Sequence, residues 1–134
     1  MKRTYHAQRP TTMTTEKTPY ADLLNIKVIF VENGTAHVQT TVRTEHTNHV
    51  GTAHGGFINS LADYALELAS NSHDVLAVAL TTSTQYFKPA VVGTILEAVA
   101  RETHLGRKTA TYHIDVLAGE ETIATFTGTV YRKG

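Results

Sequence analysis

The chain has no cysteine among its 134 residues, which excludes a disulfide framework, a zinc finger and a thiol nucleophile. It has no excess of either charge: Lys plus Arg and Asp plus Glu each number 12, so the net charge is zero with histidine neutral. Nucleic acid and anionic membranes call for a net basic surface, so neither is the expected partner, although a local basic cluster is compatible with the balance. No apolar run is long enough to span a bilayer, and the N-terminus carries no signal-like apolar stretch. The composition reads as a soluble cytoplasmic domain. Apolar residues at 41% suffice for a core, and charged residues at 18% are too few for a disordered chain. The length fits one domain.

Residues 1–18 are polar and threonine-rich and read as a flexible leader; residues 19–134 read as the single domain. Pro19 to Leu24 suits one helical turn with proline at its start. Ile26 to Val31 is β-branched and apolar and runs into Asn33-Gly34, a strong hairpin signal because both residues tolerate positive φ. The returning strand, Thr35 to Val42, places Ala36, Val38, Thr40 and Val42 on one face. The period then changes. Apolar positions 57, 58, 61, 62, 65, 66, 68 and 69 form a stripe covering about 180° of a helix. Asn59, Ser60, Asp63, Glu67 and Ser70 fall on the opposite arc. Four strands follow: Val75–Phe87, Gly93–His104, Thr109–Leu117 and Thr122–Arg132. Short connections imply antiparallel neighbours, hence an α+β arrangement of one sheet and one long helix. Apolar residues on both strand parities, as in Val78-Ala79-Leu80, predict an uncovered sheet face that a homo-oligomer would bury.

The densest polar cluster, Thr47 to Gly56, runs straight into the helix. Gly55-Gly56 at a helix start leaves backbone N–H groups uncovered, with the helix dipole adding positive potential for a carboxylate, a phosphate or an oxyanion. The same glycines also suit a tight turn and nothing more, and spacing alone does not choose. Asp63 lies two turns inside the helix on the polar arc, with Glu67 as a rival one turn on. His46, His49 and His54 are close in sequence, but their spacing is not that of a helical metal-binding pair. Leu105-Gly106-Arg107-Lys108-Thr109 places two cations and a hydroxyl at a strand turn. That is either an ordinary solvated turn or a phosphate-recognition site to which Lys88 could add a third cation. No nucleophile elbow, P-loop or dinucleotide fingerprint is present.

Asn48-x-x-Gly51-x-x-His54-Gly55-Gly56, continuing to Leu61-Ala62-Asp63-x-Ala65, resembles the signature of hotdog-fold acyl-CoA thioesterases. Within that family it most resembles the PaaI type of phenylacetate pathways, related to 4-hydroxybenzoyl-CoA thioesterases. Gln85-Tyr86-Phe87-Lys88-Pro89-Ala90-x-x-Gly93 and Leu105-Gly106-Arg107-Lys108 resemble later family segments, so the similarity covers Tyr20 to Arg132.

The resemblance implies an antiparallel sheet of about five to six strands wrapped round one long central helix. It implies homodimers paired into tetramers, with active sites at the dimer interface. Asp63 matches the catalytic carboxylate, acting as nucleophile or general base. Gly55 matches the backbone N–H that polarises the thioester carbonyl. Asn48 matches a residue orienting thioester or water, from the other subunit than Asp63, and His54 one that supports the site. CoA contacts fall on Tyr86, Phe87, Lys88, Pro89, Ala90 and Val91, and on His104, Leu105, Gly106, Arg107, Lys108 and Thr109, with Tyr131 or Arg132 as additions. Some relatives carry an assisting hydroxyl on the strand before the proline. Here Ala79 is in register, and Thr81 or Thr82 could serve. The implied activity is hydrolysis of acyl-CoA, probing first for aryl or arylacetyl groups, with no metal and no cofactor beyond the CoA of the substrate. The alternatives are a non-catalytic acyl-CoA-binding module and a hotdog hydratase or dehydratase.

Overall fold

The computed structural model describes residues 18–134. The leader expected over 1–18 therefore lies, apart from Thr18, outside the described residues. The order is α1 (Pro19–Leu23), β1 (Lys27–Glu32), β2 (Thr35–Thr41), a 3-10 turn (Thr44–His46), α2 (Gly55–Ser70), β3 (Ala77–Tyr86), β4 (Ile95–Leu105), β5 (Thr109–Ala118) and β6 (Glu121–Arg132). The six strands form one antiparallel sheet in the order β1-β2-β4-β5-β6-β3. One long helix lies across it, as the hotdog resemblance implies. No helix among the described residues is long and apolar enough to cross a membrane.

Asn33 and Gly34 both take positive φ (43° and 84°), the geometry that two-residue hairpins require. Gly34 N–H also donates to Ser72 Oγ (2.7 Å), tying the hairpin to the segment that follows the helix. The apolar stripe of α2 is buried throughout, and Leu61, Leu66 and Leu68 are sealed against the sheet, each worth about 2 kcal/mol of burial. Beneath them lie Val38, Leu96, Ile114, Val116 and Phe126, with Ala36, Ala98, Ala100 and Ala124 between. Those small residues let the helix sit close. At Gly128 a Cβ would lie 2.7 Å from Leu66, so glycine is needed there for approach.

One expectation needs correction. The uncovered sheet face is mainly polar, not apolar. His37 faces Glu97 (3.4 Å), His113 faces Asp115 (2.9 Å), and Thr111 bonds Thr129 (2.9 Å). Alternation holds on β2, β4 and β5, where buried residues alternate with half-buried ones. Exposed apolar residues include Val78 and Leu80 on the edge strand β3 and Phe87, Val91, Val92 and Ile95 at the sheet end. In addition, the polar arc of α2 does not simply face water, because β3 runs alongside it. Thr84 Oγ1 donates to Asn59 Oδ1 (2.5 Å), and Ser70 is buried, donating to the Glu67 carbonyl (3.3 Å).

After β3, residues 87–94 carry the chain across the end of the sheet to its middle. Ala53 N–H donates to the Ala90 carbonyl (2.8 Å), Gly93 N–H to Val42 (2.8 Å), and Val42 N–H to Thr94 (2.9 Å). This crossing segment packs beside the start of α2.

Candidate active site

His54 is the N-cap of α2, in extended conformation (φ −64°, ψ 140°). Its carbonyl accepts from Phe57 N–H (2.9 Å) and Ile58 N–H (3.1 Å), and its Nδ1 accepts from Gly56 N–H (2.8 Å). That role requires Nδ1 to be unprotonated, an assignment made from the hydrogen bond. Gly55 N–H has no partner among the described residues. In a trans peptide N–H and C=O point opposite ways. The His54 carbonyl points into the helix, so Gly55 N–H points out from its start, where the dipole makes it a stronger donor.

Asn48 organises the preceding loop. Its Oδ1 accepts from Val50 N–H (3.0 Å) and Thr52 N–H (3.0 Å), while Nδ2 donates to Thr52 Oγ1 (3.1 Å). The carboxamide oxygen is committed to the loop, so toward a ligand Asn48 can only donate. A cavity of about 400 Å³ brings Asn48 and Gly55 together with Thr52, Ala53, Ile58 and Tyr86 to Pro89. Tyr86 OH donates to the Gly55 carbonyl (3.0 Å).

Asp63 lies elsewhere. It borders a second cavity of about 320 Å³, walled by Leu66 and Leu76 to Ala79 with Glu67, Ser70 and Asn71 at its rim. The side chain keeps contact with solvent, yet the surrounding protein matter removes enough water to raise its pKa above the ordinary aspartate value. Thr81 and Thr82 do not line this cavity; Ala79 does. Along the helix Gly55 and Asp63 are separated by about 12 Å. The two cavities share no lining residue.

The proposed CoA contacts also divide. On β6, Tyr86 pairs with Ala124 whereas Thr109 pairs with Tyr131, which puts the groups around Tyr86 and Arg107 about 23 Å apart along the strand. Lys88 pairs with Glu121 and cannot join Arg107 and Lys108 in one chain as a third cation. Ala90 is buried, and its carbonyl serves the fold. Arg107 and Lys108 are exposed on a turn that Arg132 holds by donating Nη1 to the Gly106 carbonyl (2.9 Å). Lys108 Nζ lies 6.0 Å from the Tyr131 ring. Phe87 and Val91 are exposed beside the first cavity, and His104 and Leu105 are exposed at the far turn.

His46 Nδ1 accepts from Arg43 N–H (3.0 Å), and its ring stacks on Phe57 at 3.9 Å. Together with the His54 cap, this occupies two of the three loop histidines in shaping the helix start. Among the described residues no three His, Asp or Glu side chains converge on a point that could hold a metal ion. Thr52, Ile58 and Leu76 to Val78 are cavity walls that no motif points to, because wall residues carry no chemical signature.

The thioesterase superfamily model matches residues 50–125, from the loop before α2 into β6. The chain belongs to the thioesterase superfamily. It is 35% identical over 115 residues to the acyl-coenzyme A thioesterase PaaI of Escherichia coli, covering 85% of this chain and 82% of that one. The solved PaaI structure from E. coli superposes with a TM-score of 0.86, covering 89% and 87% of the two chains at 34% identity. The phenylacetic acid degradation protein PaaI of Thermus thermophilus, solved as an asparagine-to-aspartate mutant, is 44% identical with a TM-score of 0.84, covering 86% and 99%. A Streptococcus mutans protein solved bound to acetyl CoA is 32% identical with a TM-score of 0.79, covering 82% and 90%. For this thioesterase-superfamily chain the hotdog fold is thus shared with solved relatives over nearly the whole described domain.

Proposed function

We propose that the chain hydrolyses acyl-CoA thioesters, preferentially aryl or arylacetyl-CoA, at sites formed between two subunits. The observation that carries this reading is the division of the site: an unpartnered Gly55 N–H in one cavity and Asp63 in another. Between them runs β3, an edge strand on which every residue after Ala77 is exposed or half-exposed. An unpaired edge with Val78 and Leu80 exposed is suited to a second copy. Antiparallel self-pairing of β3 sets the Tyr86 end of one subunit against the Ala77 end of the other. Gly55 and Asn48 of one subunit then approach Asp63 of its partner. The Arg107–Lys108 turn beside Ala77 and Arg132 approaches the segment from Tyr86 to Pro89. Each division noted above closes across this one axis.

Asp63 then acts as a general base on water or as the nucleophile. By the first route, water adds to the carbonyl carbon while Asp63 takes its proton. By the second, a carboxylate oxygen forms an anhydride that water opens. In both, the C–S bond breaks and CoA leaves as the thiol once protonated. Gly55 N–H donates to the developing oxyanion, and the spare N–H of Asn48 orients the thioester. The raised pKa brings Asp63 nearer the working pH, which strengthens it as a base. The apolar wall from Leu66 to Val78 suits a ring, which supports the aryl preference, as do the names of the PaaI relatives. A hydratase base at His54 would need a free acceptor nitrogen, whereas Nδ1 already accepts from Gly56 N–H and the ring proton is thereby placed on Nε2. The mechanism calls on no metal and no further cofactor. Dimers pairing into tetramers, and action in the cytoplasm where CoA esters are handled, complete the reading.

A panel of acyl-CoA thioesters followed by thiol release tests it. Turnover highest on aryl or arylacetyl-CoA is expected; absence of thiol release from every member would refute it.

A further inference from the structure

We infer that Tyr86 and His54 form a clamp on the Gly55–Gly56 peptide, the one that follows the donor, and so hold Gly55 with its N–H in place at the helix start, so that Tyr86 is a positioning residue and not a CoA contact. This rests on the reading of Gly55 as oxyanion donor. The peptide is gripped at both poles. Its carbonyl accepts from Tyr86 OH (3.0 Å), and its N–H donates to His54 Nδ1 (2.8 Å). Each bond polarises the peptide in the direction that strengthens the other.

The clamp also accounts for both glycines. Neither has positive φ, so the requirement is one of approach. A Cβ on Gly55 would lie 3.2 Å from Tyr86 Cζ, and one on Gly56 would lie 3.0 Å from His54 Nδ1. The two clamp side chains occupy the space a side chain would take. Glycine here opens the N–H but also leaves two adjacent residues with the most freedom a backbone has. A donor left to wander in such a segment would meet the oxyanion in only a fraction of its conformations. The His54 carbonyl, bonded to Phe57 and Ile58 N–H, holds the peptide before Gly55, and the Tyr86–His54 clamp holds the peptide after it. Since Tyr86 ends the edge strand β3, the clamp also ties the donor to the strand proposed to pair between subunits.

The test is steady-state kinetics on the intact protein with its best acyl-CoA. Tyr86→Phe removes only the hydroxyl. It should lower kcat about tenfold with KM changed less than twofold, because the loss falls on an interaction realised in the transition state. His54→Ala should show the same pattern, and His54→Asn, whose side-chain oxygen can still accept from Gly56 N–H, should recover most of that loss. The double variant Tyr86→Phe/His54→Ala should lose clearly less than the product of the single losses, since both hold one peptide. A raised KM with intact kcat in Tyr86→Phe, which would mark a CoA contact, overturns the inference. So do unchanged kinetics, strict multiplicativity, or an Asn variant as impaired as the Ala variant. A wild-type protein that releases no thiol would instead sink the proposed function.

Discussion

Replacing Gly55 by proline deletes one atom pair of interest, the N–H, at a position unusually tolerant of the change. Gly55 is the first residue of α2, where its N–H makes no helical bond and where proline is favoured. His54 before it is already at ψ 140°, in the region that a following proline requires. The ring would press on Tyr86, where a Cβ comes within 3.2 Å of Cζ, but Tyr86 is more than half exposed and can turn aside at the cost of its bond to the Gly55 carbonyl. Loss of a single oxyanion donor costs about 10²–10³ in kcat. This donor lies at a helix start and belongs to a peptide whose carbonyl already accepts two bonds. We therefore expect about a 300-fold loss, or about 3.4 kcal/mol on the barrier. Gly55→Ala is the control: it adds the same Cβ but keeps the N–H, and should lose about tenfold, the share due to disturbing Tyr86. Thiol release on the best acyl-CoA, with circular dichroism to establish folding, makes the measurement. A folded Gly55→Pro as active as Gly55→Ala would show that the backbone N–H takes no part.

Asp63→Asn should keep the fold and lower turnover at least about a hundredfold, while Glu67→Gln, on the same helical face, should change it little; the reverse pattern would mean that the wrong carboxylate has been chosen. The Asp63 pKa is raised, so the native state binds its proton more tightly than the unfolded chain and the ionised residue costs stability above the ordinary aspartate range. Asp63→Asn should thus raise Tm at pH 7, with the gain vanishing below about pH 4; a Tm that falls at neutral pH would contradict the desolvation. Mixing Asp63→Asn with Gly55→Pro subunits and refolding them together should restore about a quarter of wild-type activity, because one site in four then draws both intact groups from different chains. No recovery would place both groups in one subunit's site. Neutralising Arg107 and Lys108 together should raise KM for acyl-CoA more than it lowers kcat, since a remote phosphate contact acts equally on ground and transition states; an unchanged KM would put the phosphates elsewhere.

The secondary structure was readable because it rests on local rules. Asn33-Gly34 allows only a narrow set of turns, and the stripe from Phe57 to Ala69 has the period of a helix; in the structure that helix begins two residues earlier, at Gly55. Glycine has a low helical propensity, so the apolar period does not reach it, and the His54 cap that sets the boundary is a side-chain contact no periodicity reports. The outer face of the sheet is hard to read from the pattern for a related reason. Threonine counts as a strand former in a pattern but leaves a solvated hydroxyl on the outer face, as at Thr111 and Thr129. The candidate residues stood out through motif resemblance, yet their grouping did not. One-dimensional spacing cannot show that Tyr86 and Arg107 lie toward opposite ends of β6, or that Lys88 is paired with Glu121.

What the lone chain holds at its site is a set of local costs. Among the described residues, Asp63 is partly desolvated in a cavity lined by no cation, Gly55 N–H is unpaired at a helix start, and β3 offers an unpaired edge carrying Val78 and Leu80. A chain selected for its own stability alone would blunt each of these, with a charge on the edge, a bonded cap donor, or asparagine in place of aspartate. Rule-breaking of this kind concentrates where function needs it. The antiparallel contact proposed along β3 would answer the exposed edge and bring the other two groups to face each other across it. The remaining free donor and the desolvated carboxylate then have one thing in common that could satisfy both: a carbonyl carbon turning tetrahedral, with its oxygen toward Gly55 and its open face toward Asp63.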